Sequence, residues 1–550
     1  MYTEIWNGIN RSFGEDRIVA KLNNKKSEFT LSYYLAYRDW SHLWRENNET
    51  FNLENETISR YEKGEPAGFE YYNHRINLNY NYQNEKNVFN ISFITQMNNQ
   101  LHKDFKSKLY SVGSVEYSDM TDSSNNKTSS PSLNIYFQHL FSKQENITCS
   151  FYGLNNSTTY NRYYTEDYEN KHNIDLISNV KEKQLGGGVS LLYEKQIKTG
   201  IINIGLTERS TFTRDNYNNT WNSSQSSNKT DLDLHNLYLY AQFGNKWKRL
   251  YYRIGVGANS LFQSVNNDTR RYTVFRPSVA LTYSLSNSFE INYTGSVYPT
   301  MPTLSAISSY DQKIDSLQLQ RGNPALKPQV NYKNGISLDF DIKKIGFGCY
   351  LDYTYVSSPL MESSFAENNK VVRTINNQKN FQILNPELEL RSKPFDNYIQ
   401  LKIYTGINKY ISTGNNFLHN KTIVYYGGKI KVNYKKYSLT WLVSQNTSDS
   451  FWGETLSRDE SAHVVTLSYN NSKIYVGLEG FNLFSTKHTN SKENLSSIAP
   501  YTRYEYLDEL RNMLRFKITY TLKYGREYKA KTQKIRNTDE VEQGILKGEK

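Results

Sequence analysis

Apolar and polar residues alternate one by one along almost the whole chain. From Ile76 the sequence runs Ile76, Asn77, Leu78, Asn79, Tyr80, Asn81, Tyr82. A strand sends successive side chains to opposite faces, so this segment has one apolar face and one made of asparagine. A polar turn follows at 83–87, and Phe89, Ile91 and Phe93 then alternate with Asn90 and Ser92, which predicts a hairpin. The same period returns at Val279–Leu285, Phe289–Tyr293, Ile336–Ile342 and Tyr437–Val443, and most clearly at Leu514, Phe516, Ile518, Tyr520, Leu522 and Tyr524.

Strands of a soluble sandwich are usually five or six residues long, whereas these run to about ten, the length that crosses a bilayer at a tilt. A propeller would show a recurring motif every 40 to 50 residues or so, and none is found. The pattern predicts an all-β fold, a transmembrane antiparallel up-and-down β-barrel. The connections alternate short and long. Short ones are expected at 23–26, 84–87, 143–146, 198–200, 244–248, 286–288, 343–344 and 435–436. Long ones are expected at 45–55, 116–130, 155–170, 213–229, 299–328 and 487–500. Short periplasmic turns and long extracellular loops of this kind give about 22 strands, with both ends on the periplasmic side. Barrel residues are expected over 1–528, followed by a polar tail, 529–550, that is disordered.

Composition adds support. Tyr alone accounts for 47 residues, which argues against a disordered chain, and pairs such as Trp40/Trp44, Tyr71/Tyr72, Tyr251/Tyr252 beside Trp247, and Tyr425/Tyr426 are candidates for interfacial girdles. No apolar run approaches 18 residues, which excludes membrane-spanning helices, and a mean hydropathy of -0.74 is compatible with a barrel because alternation dilutes its apolar residues. Two cysteines exclude a disulfide scaffold or a Cys-rich zinc site. The net charge of +12 is scattered rather than clustered, so it points to basic turns, a polar lumen and contact with anionic lipid instead of nucleic acid. Residues 1–10 carry neither the charged nor the apolar segment of a signal peptide.

Chemistry-bearing candidates are sparse. No H-E-x-x-H or paired Ser/His motif stands out among nine histidines, so neither enzyme activity nor a cofactor or metal is expected. His42, His139, His235 and His463 lie in or beside strands, and Cys149 and Cys349 read as small wall residues. Gly186, Gly187 and Gly188 interrupt a strand pattern with no helix after them, which predicts a bulge or bend and not a phosphate loop. Asp167, Tyr168, Glu169 and the stretch 216–228 are expected to be solvated loop residues.

One long connection carries a specific series: Tyr298, Pro299, Thr300, Met301, Pro302, Thr303, Leu304, then Asp315, Ser316, Leu317, then Arg321, Gly322, Asn323, Pro324, Ala325, Leu326, Lys327, Pro328. This P-T-L … G-N-P-x-L-K-P series resembles TonB-dependent receptors of the outer membrane, in particular the Bacteroidetes outer membrane protein β-barrel family. Lys26–Phe29 with Tyr37–Trp40 near the start, and Phe516–Tyr528 near the end, agree with it. The two prolines fix φ and withhold a donor, so Arg321, Gly322, Asn323, Pro324, Leu326, Lys327 and Pro328 are expected to act as a structural loop anchor ahead of the next strand. The resemblance implies an outer-membrane location in a Gram-negative bacterium, a 22-stranded barrel, and import of a scarce, bulky nutrient. It also implies a plug domain whose TonB box is pulled by the TonB energy complex. The sequence opens at or near the first barrel strand, so the plug is expected to come from missing or separate sequence. A plugless barrel of this size would be an open or loop-filled pore, or a surface-binding barrel without active transport.

Overall fold

The computed structural model describes residues 1–524 apart from 112–115, 169–173, 267, 460 and 486–487. It is a closed antiparallel barrel of 22 strands, as the alternation predicts. The first strand, Tyr2–Gly8, pairs with Phe13–Asn24 on one side and with Met513–Thr521 on the other, from Tyr2 opposite Thr521 to Gly8 opposite Arg515. The ring therefore has no free edge, which a lipid-embedded sheet cannot tolerate. The expected tail, 529–550, lies outside the described residues, as do residues 525–528 at the end of the expected barrel span.

Register turns the alternation into two surfaces. Leu78 lies opposite Leu31 and Phe93, and Tyr80 opposite Phe29 and Ile91. Together they form part of a continuous apolar exterior. The intervening residues face the lumen and hydrogen-bond across strands: Asn90 Nδ2 donates to Asn79 Oδ1 at 2.8 Å and to Asn81 Oδ1 at 2.6 Å. An asparagine amide both donates and accepts, so a row of them satisfies itself on a polar wall.

The wall is uneven in height. Strands from Ser27–Asn52 to Ser224–Trp247 include six of 24 to 26 residues or nearly so, such as Asn87–Ser111, Tyr117–Ser142 and Glu145–Tyr168. Tyr437–Gln445, Ala462–Asn470, Ile474–Phe481 and Met513–Thr521 have only 8 or 9. Since about ten residues cross a bilayer, the long strands rise well above it. Four expected loops are thereby corrected: 45–55, 116–130, 155–170 and 213–229 are largely strand where described. Their outer face meets water, so it needs no apolar residues, and the hydropathy pattern that marks a strand fades. Asn161 Nδ2 donates to Asn125 Oδ1 at 2.8 Å, and Asn179 donates to Asn161 in turn. The inner face of these extensions still alternates, with Tyr160, Tyr164, Val180 and Tyr217 buried.

Two smaller expectations also change. Gly186–Gly188 pair with Leu154–Tyr152 and Thr211–Arg209 with no register shift, so they form neither bulge nor bend. A side chain at Gly188 would collide with the Tyr152 ring and the Glu208 carbonyl, and close approach is what requires glycine there. Among the girdle candidates, Trp247 is exposed beside a turn, but Trp40 and Tyr425 are buried. Trp40 Nε1 donates to the Ser12 carbonyl at 3.0 Å, and the Tyr425 hydroxyl donates to Glu387 at 2.8 Å.

The two faces should respond oppositely to charge. Leu78→Arg is expected to destabilise the barrel by about 2–4 kcal/mol in denaturant unfolding from lipid vesicles, while Asn77→Arg, one residue away on the lumen side, should cost well under about 1 kcal/mol.

Candidate functional site: the inward-folded loop and the charged wall behind it

Between Thr300 and Gln329 the chain leaves the wall and turns inward. It forms a short helix, Leu304–Ile307, and two strands, Gln312–Lys313 and Gln318–Gln320. A hairpin from a later connection, Leu360–Glu367 with Lys370–Asn377, completes a four-stranded inner sheet in which Gln318–Gln320 runs parallel to Val371–Arg373. Leu304, Ala306, Ile307 and Leu326 pack against the wall residues Leu232 and Val265, so this layer is held by an apolar contact of its own.

Charged residues of the tall wall clamp the same layer. Arg60 donates through Nε to Glu49 at 2.9 Å and through Nη2 to Asp315 of the inner loop at 2.6 Å. Arg162 donates to Asp122 at 2.7 Å and, through Nη1, to the Ile314 carbonyl at 2.9 Å. Arg45 joins Asp122 to Glu62, and the Ser316 hydroxyl donates to Glu166 at 3.0 Å. Arg45, Arg60 and Arg162 are all buried. Burial opposes the charge on Arg60, yet Asp315 and Glu49 outweigh it and hold its pKa well above the ordinary value. Buried ion pairs add little net stability, but losing one partner strands the other at a cost of about 3–5 kcal/mol. Their effect is to permit one position of the loop.

The residues singled out in the sequence converge here. Arg321 grips Asp311 with two hydrogen bonds, at 2.5 and 3.0 Å, and pairs with Glu367 at 2.8 Å. The Gly322 N–H donates to the Ser308 carbonyl at 2.7 Å, and a Cβ at Gly322 would lie 2.4 Å from that oxygen. Asn323 donates from its backbone to the Ala306 carbonyl and from its amide to Asn376, and its Oδ1 accepts from the Ala325 N–H. Leu326 is fully buried, and the Lys327 N–H donates to Asn377 at 2.8 Å. Pro324 separates Asn323 from the Ala325 N–H it accepts, and Pro328 stands directly before the strand Gln329–Ile342.

Two cavities border the loop. A 350 Å³ cavity lies between Thr300–Leu304, which includes the P-T-L residues, and the wall residues Tyr152, Glu182, Gln184 and Arg209. A smaller one, 110 Å³, is bounded by Gln318, Arg321, Glu362, Arg373, Tyr501 and Arg503. Arg373 and Arg503 both lie over the Tyr501 ring, 5.1 and 5.3 Å from its centre. Both cavities have mixed polar and aromatic linings, suited to holding part of a polar ligand.

The other candidates are scattered. His42 contacts Glu509 at 3.0 Å, His139 stacks on Phe137, and the His463 N–H donates to Asn482. His235 accepts or donates at 2.6 Å to Ser210, which also touches Glu208. Here the hydroxyl stands between imidazole and carboxylate, whereas a Ser-His-acid triad needs the imidazole in the middle. Cys149 and Cys349 are unpaired. Among the described residues no His, Cys, Asp and Glu side chains gather as a metal site. Asp167 and Tyr168 belong to a strand, with the Tyr168 hydroxyl on Glu166 at 2.8 Å, and Glu169 lies outside the described residues. Sequence reasoning missed the 360–377 hairpin and the arginine clamp. Arg60 and Asp315 are 255 positions apart, and only barrel closure brings them together.

The barrel is shared with solved outer-membrane proteins. The copper transporter OprC superposes with a TM-score of 0.66 at 10% identity, over 94% of this chain and 79% of that one. The ferric yersiniabactin uptake receptor FyuA from Yersinia pestis gives 0.58 at 9% identity, with the same coverages, and FpvA of P. aeruginosa gives 0.59 at 11%, over 94% of this chain and 71% of that one. At such identities the likeness establishes the fold, which is that of TonB-dependent receptor barrels in the outer membrane. No curated protein matches the chain in sequence. A family model does match over residues 139–520, which span the inner loop, its hairpin and most of the wall, and the chain thus belongs to the outer membrane protein beta-barrel family.

Proposed function

We propose that this chain is the barrel of a TonB-dependent-receptor-like importer that binds a bulky nutrient at its extracellular end and passes it through the lumen. The observation that supports the reading is the closed 22-stranded barrel, shared in fold with the copper transporter OprC and the ferric yersiniabactin uptake receptor FyuA. The nutrient would be captured within the tall wall, at the inner sheet and its two cavities. A plug domain from other sequence and, through it, the TonB energy complex are the partners this function calls for. The inner sheet is an additional barrier, and the motif Arg321–Pro328 is its anchor: backbone hydrogen bonds fix its start to the short helix, Leu326 its middle to the wall, and Lys327 its end to the hairpin.

Conductance separates this reading from that of a plugless pore. In planar bilayers the 550-residue chain is expected to pass little current, and Asp315→Ala, which strands Arg60, should raise the steady conductance severalfold by releasing the loop. A large steady current from the unaltered chain would instead establish the open-pore reading.

The anchor can be tested separately. Gly322→Ala should leave the heat-stable barrel intact yet expose residues 301–328 to limited proteolysis, because the added carbon has no room against Ser308. Unchanged protection of the loop would rule out the anchor role.

A further inference from the structure

The turns at the short-loop end contain an arrangement that import does not require. Seven of them are two-residue hairpin loops, and four of these share one form: those closed by Asn24 and Ser27, Trp247 and Leu250, Ile342 and Ile345, and Tyr434 and Tyr437. The other three read Lys143-Gln144, Lys198-Thr199 and Asn287-Ser288, while these four read Lys followed by Lys or Arg: Lys25-Lys26, Lys248-Arg249, Lys343-Lys344 and Lys435-Lys436. In each the first lysine has a left-handed backbone, with φ of 51°, 54°, 51° and 54°. Glycine, asparagine or aspartate normally fills such a position, because a longer L side chain is strained there.

The opposite end of the barrel provides an internal control. The left-handed non-glycine residues of the extracellular connections are Asn222, Asn266, Asn368, Asn369, Asn446, Asn482 and Asn512 with Ser223, Ser358 and Phe484, and no lysine is among them in the described residues. The same chain thus places asparagine at most such positions at one end, and lysine at four of the five at the other, where the fifth is Asp396. Turn geometry cannot account for this difference, but a requirement for positive charge can.

The surroundings indicate what the charge meets. All eight basic residues are exposed. Lys344 pairs with Asp396 at 3.0 Å, whereas no carboxylate among the described residues pairs with Lys25, Lys248, Lys343 or Lys435. Exposed apolar or aromatic side chains adjoin the turns: Trp247, Ile342 with Ile345, and Tyr434 with Tyr437. Lys248 lies 5.5 Å over the Trp247 ring and Lys435 5.3 Å over the Tyr434 ring. A cation beside an outward aromatic is the combination found at headgroup depth. The four turns are also spread around the ring, between residues 24 and 437, so one protein partner could not reach them all, whereas a lipid leaflet surrounds them.

We propose that these lysines form a basic collar that binds the anionic phospholipid headgroups of the periplasmic leaflet and fixes the depth of the barrel there. The test uses the full chain in detergent, with native mass spectrometry counting phosphatidylglycerol and phosphatidylcholine adducts. The unaltered protein should retain phosphatidylglycerol preferentially, and the preference should fall in high salt. The quadruple variant Lys25→Asn, Lys248→Asn, Lys343→Asn and Lys435→Asn should refold at least as well, because asparagine suits the backbone, and should lose that preference by about tenfold or more, since each basic residue near an anionic surface is worth about fivefold in affinity. The corresponding Lys→Arg variant should keep it. Equal retention of the two lipids by the unaltered protein, or an undiminished preference in the asparagine variant, would overturn the proposal. Failure of the asparagine variant to refold would overturn it too, by showing that the lysines serve the turns themselves.

Discussion

Backbone hydrogen bonding in a medium without water governs this molecule. A strand in hydrocarbon must pair every N–H and C=O with neighbouring strands, since each one left open costs several kcal/mol or so. Twenty-two strands satisfy that demand only by closing, and the pairing of Tyr2–Gly8 with Met513–Thr521 is therefore the condition for all the others. Once the ring is closed, the period of two assigns each residue a side. Leu, Phe and Tyr are placed against lipid, and Asn, Ser and Gln toward the lumen, where they bond to one another. Polar composition and membrane residence are thus consistent, because half of each strand never meets lipid.

The lipid requirement ends at the headgroups, and the legibility of the sequence ends with it. Strands such as Ile76–Tyr82 and Leu514–Tyr520 were readable because one face must be apolar. Above the membrane both faces can be polar, so the Asn/Ser/Thr stretches at 116–130 and 213–229 carry no hydropathy signal, and loops were expected where strands stand. What still showed there was the inner face, in Tyr160, Tyr164 and Tyr217, but every second aromatic in a polar stretch is a weak signal. At the candidate site, the R-G-N-P-x-L-K-P series stood out in the sequence because proline and glycine have local consequences. Its partners Asn376 and Asn377 did not, since contacts between segments 50 residues or more apart leave no local trace.

The clamp illustrates why buried charge is tolerated here. An apolar lumen face above the membrane would hold the inner sheet equally firmly, but apolar contacts slide and admit many positions. Arg60 between Glu49 and Asp315, and Arg162 between Asp122 and the Ile314 carbonyl, admit one. The cost of stranding a partner makes displacement all-or-none rather than gradual. A layer that is to stay closed until a specific force or ligand moves it benefits from that property more than from extra stability.

The tall wall and the clamp are consequences of each other. Arg45, Arg60 and Arg162 can sit inside the barrel only where neighbouring carboxylates and the inner sheet supply partners, and the inner sheet can be held above the bilayer only where strands extend to meet it. On the low side, from Tyr437 to Thr521, the wall strands have only 8 or 9 residues, and the separate short strands Ser450–Trp452, Thr455–Arg458, Thr489–Asn494 and Tyr501–Leu507 continue the sheet as far as Ser27–Asn52. The inner sheet is fastened to the tall side through Leu232, Val265, Arg60 and Arg162, and to the low side through Met361 and Val371, which pack with Phe451, Leu456 and Ala499. Buried ion pairs on one flank and apolar packing on the other hold the layer across the lumen, so displacing it strands buried charge on the tall side and exposes apolar surface on the low one.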